Sequence, residues 1–230
     1  MNESLLTIRL GLFPLNVFVL QGEAGAVLVD TGGPGEEELL LRRLRRKGIE
    51  PTELRLVLIT HGHTDHFGNA AALQKQFGVP IAIHAEDAIA LRQGVHRPGS
   101  LNTTHPLWEL LQRLPAQTVA GSAPPLEPDI TFDEAWRLDE YGIAAEVLPT
   151  PGHTPGSVSV LLDSGAVVAG DLLVADFLRF GRGPAPPFVA TDLQQNWESL
   201  RKLLERRPHT LYLTHGGPFS LKQVARMAHG

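Results

Sequence analysis

The segment THGHTDHFGN, residues 60–69, places His61, His63, Asp65 and His66 within six positions of a chain that has only ten histidines. Imidazole and carboxylate are the donors that divalent metal ions take when sulfur is not offered, and this chain has no cysteine. Thiolate nucleophiles, disulfides and cysteine-bound zinc are thereby excluded, and any metal chemistry must run on nitrogen and oxygen ligands. In a loop leaving a strand, His61 and His63 occupy alternate positions and can turn toward one point. Asp65 and His66 follow in the turn and can reach a neighbouring point, which is geometry for two metals.

Three further donors stand after later apolar runs: His153 in TPGHTPG, Asp171 in VVAGD and His215 in YLTHGG. Strand ends on one edge of a sheet converge, so residues distant in sequence can complete a site that no local motif closes. The seven donors divide into His61, His63 and His153 for one metal and Asp65, His66 and His215 for the other. Asp171, with two oxygens, is then shared, since such ions commonly sit about 3.5–4 Å apart. Zn2+ suits this donor set, and iron or manganese accept the same ligands. His84, His96, His105, His209 and His229 show no ligand spacing and read as surface or capping residues.

The elements that must position these donors are legible as apolar runs. Residues 16–20, 26–30, 55–60 and 81–84 read as strands, with helices over 35–48 and 67–78 between them. Residues 85–92 and 106–114 have helical patterns, and 115–128 is a loop rich in proline and alanine. The second half repeats the rhythm: strands at 142–150, 157–163, 166–170 and 210–214, a helix over 193–207 and a short one at 220–228. No Gly- and Ser-rich linker divides the chain, so residues 1–230 are expected to form one α/β domain of two packed sheets with helices outside.

With the quoted motifs in order, the sequence resembles the metallo-β-lactamase-fold hydrolases, whose hallmark is HxHxDH followed by a histidine, a bridging aspartate and a final histidine. The resemblance spans about residues 16–217. It implies a four-layer αββα sandwich and hydrolysis of an ester, thioester or lactone carbonyl by a hydroxide shared between two metals. Asp65 would orient that hydroxide or move its proton. LVDTG matches a further family element, and the resemblance implies that Asp30 supports the metal-binding loop from behind.

Departures from particular subfamilies narrow the substrate. True β-lactamases of this fold generally lack the bridging aspartate, so Asp171 argues against antibiotic hydrolysis. Glyoxalase II enzymes carry an added C-terminal helical region, whereas only 15 residues follow His215. Acyl-homoserine lactonases place a tyrosine shortly after the bridging aspartate, where DLLVADFLRFGRG has Val174 and Phe177. The alternatives on the same fold are an oxidoreductase like the persulfide dioxygenases, with a single iron, and a phosphodiesterase. Residues 94–130, with Trp108, and 172–190 are the material left to shape a pocket. Phe177, Arg179 and Arg182 are the substrate-contact candidates, an arginine being able to clamp a carboxylate or phosphate.

The net charge of −5 offers no overall attraction for nucleic acid. The N-terminal stretch has no basic region before its apolar residues, and no apolar run approaches the roughly 20 residues of a membrane span. A small-molecule substrate, a cytoplasmic location and no nucleic-acid or membrane partner are expected. Nothing in the sequence opposes a homo-oligomer.

Overall fold

The computed structural model describes residues 4–11, 15–101, 121–176 and 181–228. Two six-stranded sheets form the frame. The first contains β1 (Ser4–Leu10), β2 (Leu15–Gly22), β3 (Gly25–Val29), β4 (Leu54–Ile59), β5 (Ile81–His84) and β6 (Ile130–Phe132), hydrogen-bonded in sequence order. The second runs β14 (Phe219–Ser220), β13 (Thr210–Tyr212), β10 (Ala166–Val168), β9 (Val158–Leu162), β8 (Ala145–Pro149) and β7 (Trp136–Arg137). A two-stranded ribbon, β11 (Val174–Ala175) with β12 (Pro184–Ala185), stands apart. The α-helices among the described residues are α1 (Glu37–Arg46), α2 (Thr64–Phe67), α3 (Ala70–Phe77), α4 (Ala88–Gln93), α5 (Leu193–Glu205) and α6 (Leu221–Ala228).

The central strands read as unbroken apolar runs because both of their faces are covered. Along β2, Val17 and Val19 pack on one side and Phe18 and Leu20 on the other; along β4, Val57 and Ile59 oppose Leu56 and Leu58. One set meets Leu40, Leu44, Leu73 and Leu91 of α1, α3 and α4. The other set meets Val147, Val158 and Val160 of the second sheet. On that sheet's far side, Val167 and Leu211 pack with Leu200 and Leu203 of α5 and Val224 of α6. The order is helix, sheet, sheet, helix, the αββα sandwich the sequence predicts.

Parallel pairing of β3, β4 and β5 sends the ends of these strands to one edge, and parallel pairing of β10 with β13 does the same in the second sheet. Every donor singled out above follows one of these ends or a loop beside them. The arginines of α1 are exposed opposite buried Leu41 and Leu44, as a solvated face. The pattern over 85–92 resolves into a 3-10 turn, Ala85–Asp87, and then α4. Residues 67–78 contain a break at Gly68 and Asn69, and the helix begins at Ala70. The pattern over 106–114 and Trp108 lie outside the described residues. Among the described residues, no helix is long and apolar enough to cross a membrane.

Candidate metal centre

Strand β4 delivers Thr60 and His61 at its end, the next turn carries His63, and one-turn α2 holds Asp65 and His66. The loop after β8 brings His153, the turn after β10 brings Asp171, and the turn after β13 brings His215. The Nε2 atom of His153 lies 3.1 Å from both Nε2 of His61 and Nδ1 of His63. A tetrahedral centre with metal–nitrogen bonds of about 2.0–2.1 Å would set its ligand nitrogens about 3.3 Å apart, close to this spacing. The second group is Asp65, His66 and His215, with Asp65 Oδ2 3.3 Å from His215 Nε2 and 3.9 Å from His66 Nε2. Asp171 Oδ2 sits between the groups, 3.7 Å from His153, 3.6 Å from His66 and 3.3 Å from His215 at their Nε2 atoms.

Four of these imidazoles are held from behind through the nitrogen that faces away from the cluster. Nδ1 of His153 donates to the Val189 carbonyl at 2.8 Å, and His66 Nδ1 is 2.8 Å from Asp30 Oδ2. Thr60 Oγ1 contacts His61 Nδ1 at 3.1 Å, and Ser100 Oγ contacts His63 Nε2 at 2.8 Å. A carbonyl can only accept, so His153 carries its proton on Nδ1 and turns a lone pair inward, the tautomer that ligation requires. Among the described residues, two buried polar atoms of the cluster, His66 Nε2 and Asp171 Oδ1, have no hydrogen-bond partner, as do Asn16 Oδ1 and Asn196 Oδ1 elsewhere. Burial without a partner is costly, and a cation between these groups would remove that cost. The donor set and its orphaned atoms fit metal ions.

Asp30 reaches this position through a left-handed backbone, φ 64°, which aspartate tolerates better than most residues. Fully buried, it accepts the Thr60 N–H at 2.8 Å and the Thr60 hydroxyl at 2.9 Å besides contacting His66. The end of β4 and the His66 ring are thus fixed to one carboxylate.

Electrostatics separate the two groups. Burial, reinforced by neighbouring imidazoles, lowers the pKa values of His61 and His63 well below the usual histidine range; burial also lowers that of His153. Burial would lower His66 and His215 too, but nearby carboxylates prevail: Asp30 and Asp171 raise His66 well above its ordinary value, and Asp171 and Asp65 bring His215 to about 10. Burial favours a protonated Asp171, yet His215 and His66 pull its pKa well below the carboxylate range. Asp65 is likewise lowered, by His66 and His215 against burial.

His96 departs from the sequence reading. It lies half-buried against Thr64, with its ring centroid 5.0 Å from that of His63, and forms a donor group with His63 and Asp65. His84 caps the 3-10 turn by accepting the Glu86 N–H, though it is buried. His209 bonds to the Ser164 carbonyl at the surface. Arg182 is exposed in the turn joining β11 and β12, a ribbon anchored by the Ala175 N–H donating to the His215 carbonyl. Phe177 and Arg179, with His105 and His229, lie outside the described residues. Thr60, Ser100 and Val189 were not legible as partners of the candidate donor rings, because such contacts depend on loop paths that spacing does not encode.

Residues 10–215 match the family model of the metallo-beta-lactamase superfamily. The chain belongs to this superfamily. Within it, the chain is 28% identical over 213 residues to the probable metallo-hydrolase YflN of Bacillus subtilis (strain 168), covering 85% of this chain and 77% of YflN. The solved structure of TTHA1623 in a di-iron-bound form is 26% identical with a TM-score of 0.67, covering 96% of this chain and 97% of that one. The metallo-beta-lactamase family protein TTHA1429 of Thermus thermophilus superposes with a TM-score of 0.72 at 22% identity, over 99% of this chain and 78% of that one, a likeness of fold. A metallo-β-lactamase fold with a His and Asp cluster at one sheet edge is therefore what this sequence encodes.

Proposed function

We propose that the chain, as one catalytic domain over residues 1–230, is a dinuclear metal-dependent hydrolase acting on an ester, thioester or lactone carbonyl of a small molecule. The observation that carries this reading is the pair of donor groups, His61–His63–His153 and Asp65–His66–His215, with Asp171 between them. Two divalent cations held there would acidify water, polarise a carbonyl oxygen and stabilise the negative charge that develops on attack. Zn2+ is the proposed metal, and the di-iron-bound form of TTHA1623, together with the nitrogen and oxygen donors here, makes iron the second candidate.

The protein's own part is orientation and proton movement. Asp30, Thr60, Ser100 and Val189 hold the rings so that lone pairs face the cluster. Asp65 is the one cluster carboxylate with substantial exposure, 38% of its side chain against 7% for Asp171, so it can meet a substrate and take or give a proton there. Asp171 is the buried, shared anion. The single turn of α2 holds Asp65 next to His66, which places the proton carrier beside a metal donor.

A panel of lactones, thioesters, aryl esters and phosphodiesters, run with an oxygen electrode, tests the reading. Metal-loaded protein should turn over at least one carbonyl substrate with no oxygen uptake, lose that activity to a chelator and regain it with added metal. Oxygen consumption on a persulfide without carbonyl turnover would replace hydrolysis by dioxygenase chemistry. Turnover confined to phosphodiesters would replace the carbonyl substrate.

A further inference from the structure

Asp87 is a fully buried carboxylate outside the ligand set, and it joins the two loops that carry the three-histidine group. It ends the 3-10 turn Ala85–Asp87 after β5. Its Oδ2 accepts the Gly62 N–H at 2.7 Å and the Thr154 hydroxyl at 2.5 Å, and its Oδ1 accepts the Gly156 N–H at 3.1 Å. Gly62 lies between His61 and His63; Thr154 follows His153. One carboxylate therefore holds the backbone between two ligands of one loop and the residue beside the third ligand on the other.

Gly156 is shaped to this contact, and Gly62 to the close approach of Ala90, Arg97 and Asp87 together. A Cβ on Gly156 would stand 2.7 Å from Asp87 Cγ, and one on Gly62 would stand 2.8 Å from Ala90 Cβ and 3.3 Å from Asp87 Cβ. Side chains at either position would push the loops off the carboxylate. The Gly62 carbonyl is fixed as well, accepting the Arg97 N–H at 2.7 Å, while Arg97 Nε lies 3.6 Å from Asp87 Oδ1. The backbone between the two ligand histidines is held on both its polar groups.

We infer that Asp87 is a positioning residue that sets the spacing of His61 and His63 against His153, and so the metal affinity of that group in particular. Asp30 does the corresponding work for the other group through His66. The inference rests on the proposed dinuclear site. Asn at position 87 keeps the volume but presents an amide N–H2 to donors on one side, leaving at least one buried donor without an acceptor.

Zn2+ affinity measured by competition with a coloured chelator, in full-length chains reduced to one site, separates this role from general loop stability. In a His215→Ala background, which keeps the three histidines, Asp87→Asn should weaken Zn2+ binding about 10- to 100-fold, the usual cost of losing support behind a ligand. In a His61→Ala background, which keeps Asp65, His66 and His215, the same change should stay within about threefold. Equal weakening in both backgrounds, or none in either, overturns the inference. Should circular dichroism show that Asp87→Asn does not fold, Thr154→Val, which removes one donor and keeps the carboxylate, decides in the same way: selective weakening in the His215→Ala background supports the inference, and its absence overturns it. Failure of the unsubstituted chain to bind Zn2+ overturns the proposed function, and the inference with it.

Discussion

Asp65→Asn should lower kcat on the best carbonyl substrate by at least about 100-fold while metal stays bound in the three-histidine group, because positioned acid–base groups contribute about 10²- to 10⁴-fold. Asn keeps the size and one oxygen but cannot carry the proton. Neither His61, His63 nor His153 depends on Asp65 for its supporting contact: Thr60, Ser100 and Val189 supply those. Binding and chemistry are therefore separable at this residue. Metal content and rate measured on the same preparation check it. A folded, metal-loaded Asp65→Asn protein that turns over substrate at the parent rate would show that Asp65 does not move the proton.

Phe18→Ala should cost about 3–5 kcal/mol of stability in the metal-free chain, the usual penalty for deleting a fully packed aromatic. Phe18 is 1% exposed, lies in the layer between the sheets and meets Tyr212 of the opposite sheet edge to face, with centroids 6.1 Å apart. It also pairs with Val29, immediately before Asp30. The first sheet supplies His61, His63, Asp65 and His66, and the second supplies His153, Asp171 and His215, so this interlayer core fixes the distance between the two sets of candidate donors. Denaturant unfolding followed by circular dichroism measures the effect. A loss under about 1 kcal/mol would mean that the sheets are held together elsewhere.

The candidate donor positions were legible because each is a strong donor placed just after an apolar run, and a run buried on both faces announces itself by composition alone. The same logic exposed β2, β4, β9 and the helix α5. β6, β7, β11, β12 and β14, of two or three residues each, carry too few positions for any periodicity to register, whereas the equally short β10 and β13 were legible within longer apolar runs; one-turn α2 is hidden inside the donor motif itself. His96 escaped because it joins the site only through the path of the loop after α4, where the Arg97 N–H meets the Gly62 carbonyl. Asp87 escaped for a related reason: aspartate after a short strand reads as a capping residue, and only the fold reveals that both of its oxygens are committed to the loops that carry His61, His63 and His153. A glycine between two ligand histidines, as in HGH, was the one available hint that something packs closely there.

A titration of metal-free protein with Zn2+ that counts equivalents and released protons decides whether each chain takes up two metals. The first group is neutral before binding, because burial lowers the pKa values of His61, His63 and His153, so its equivalent should bind near neutral pH with little proton release. His215, brought to about 10 by Asp171 and Asp65 against burial, and His66, raised by Asp30 and Asp171, hold protons at neutral pH in the metal-free chain. A metal must displace those protons, so the second equivalent should release about one to two and should bind more tightly as pH rises toward 10. Two equivalents, with proton release concentrated in the second, is the predicted result; saturation at a single equivalent would contradict the dinuclear account.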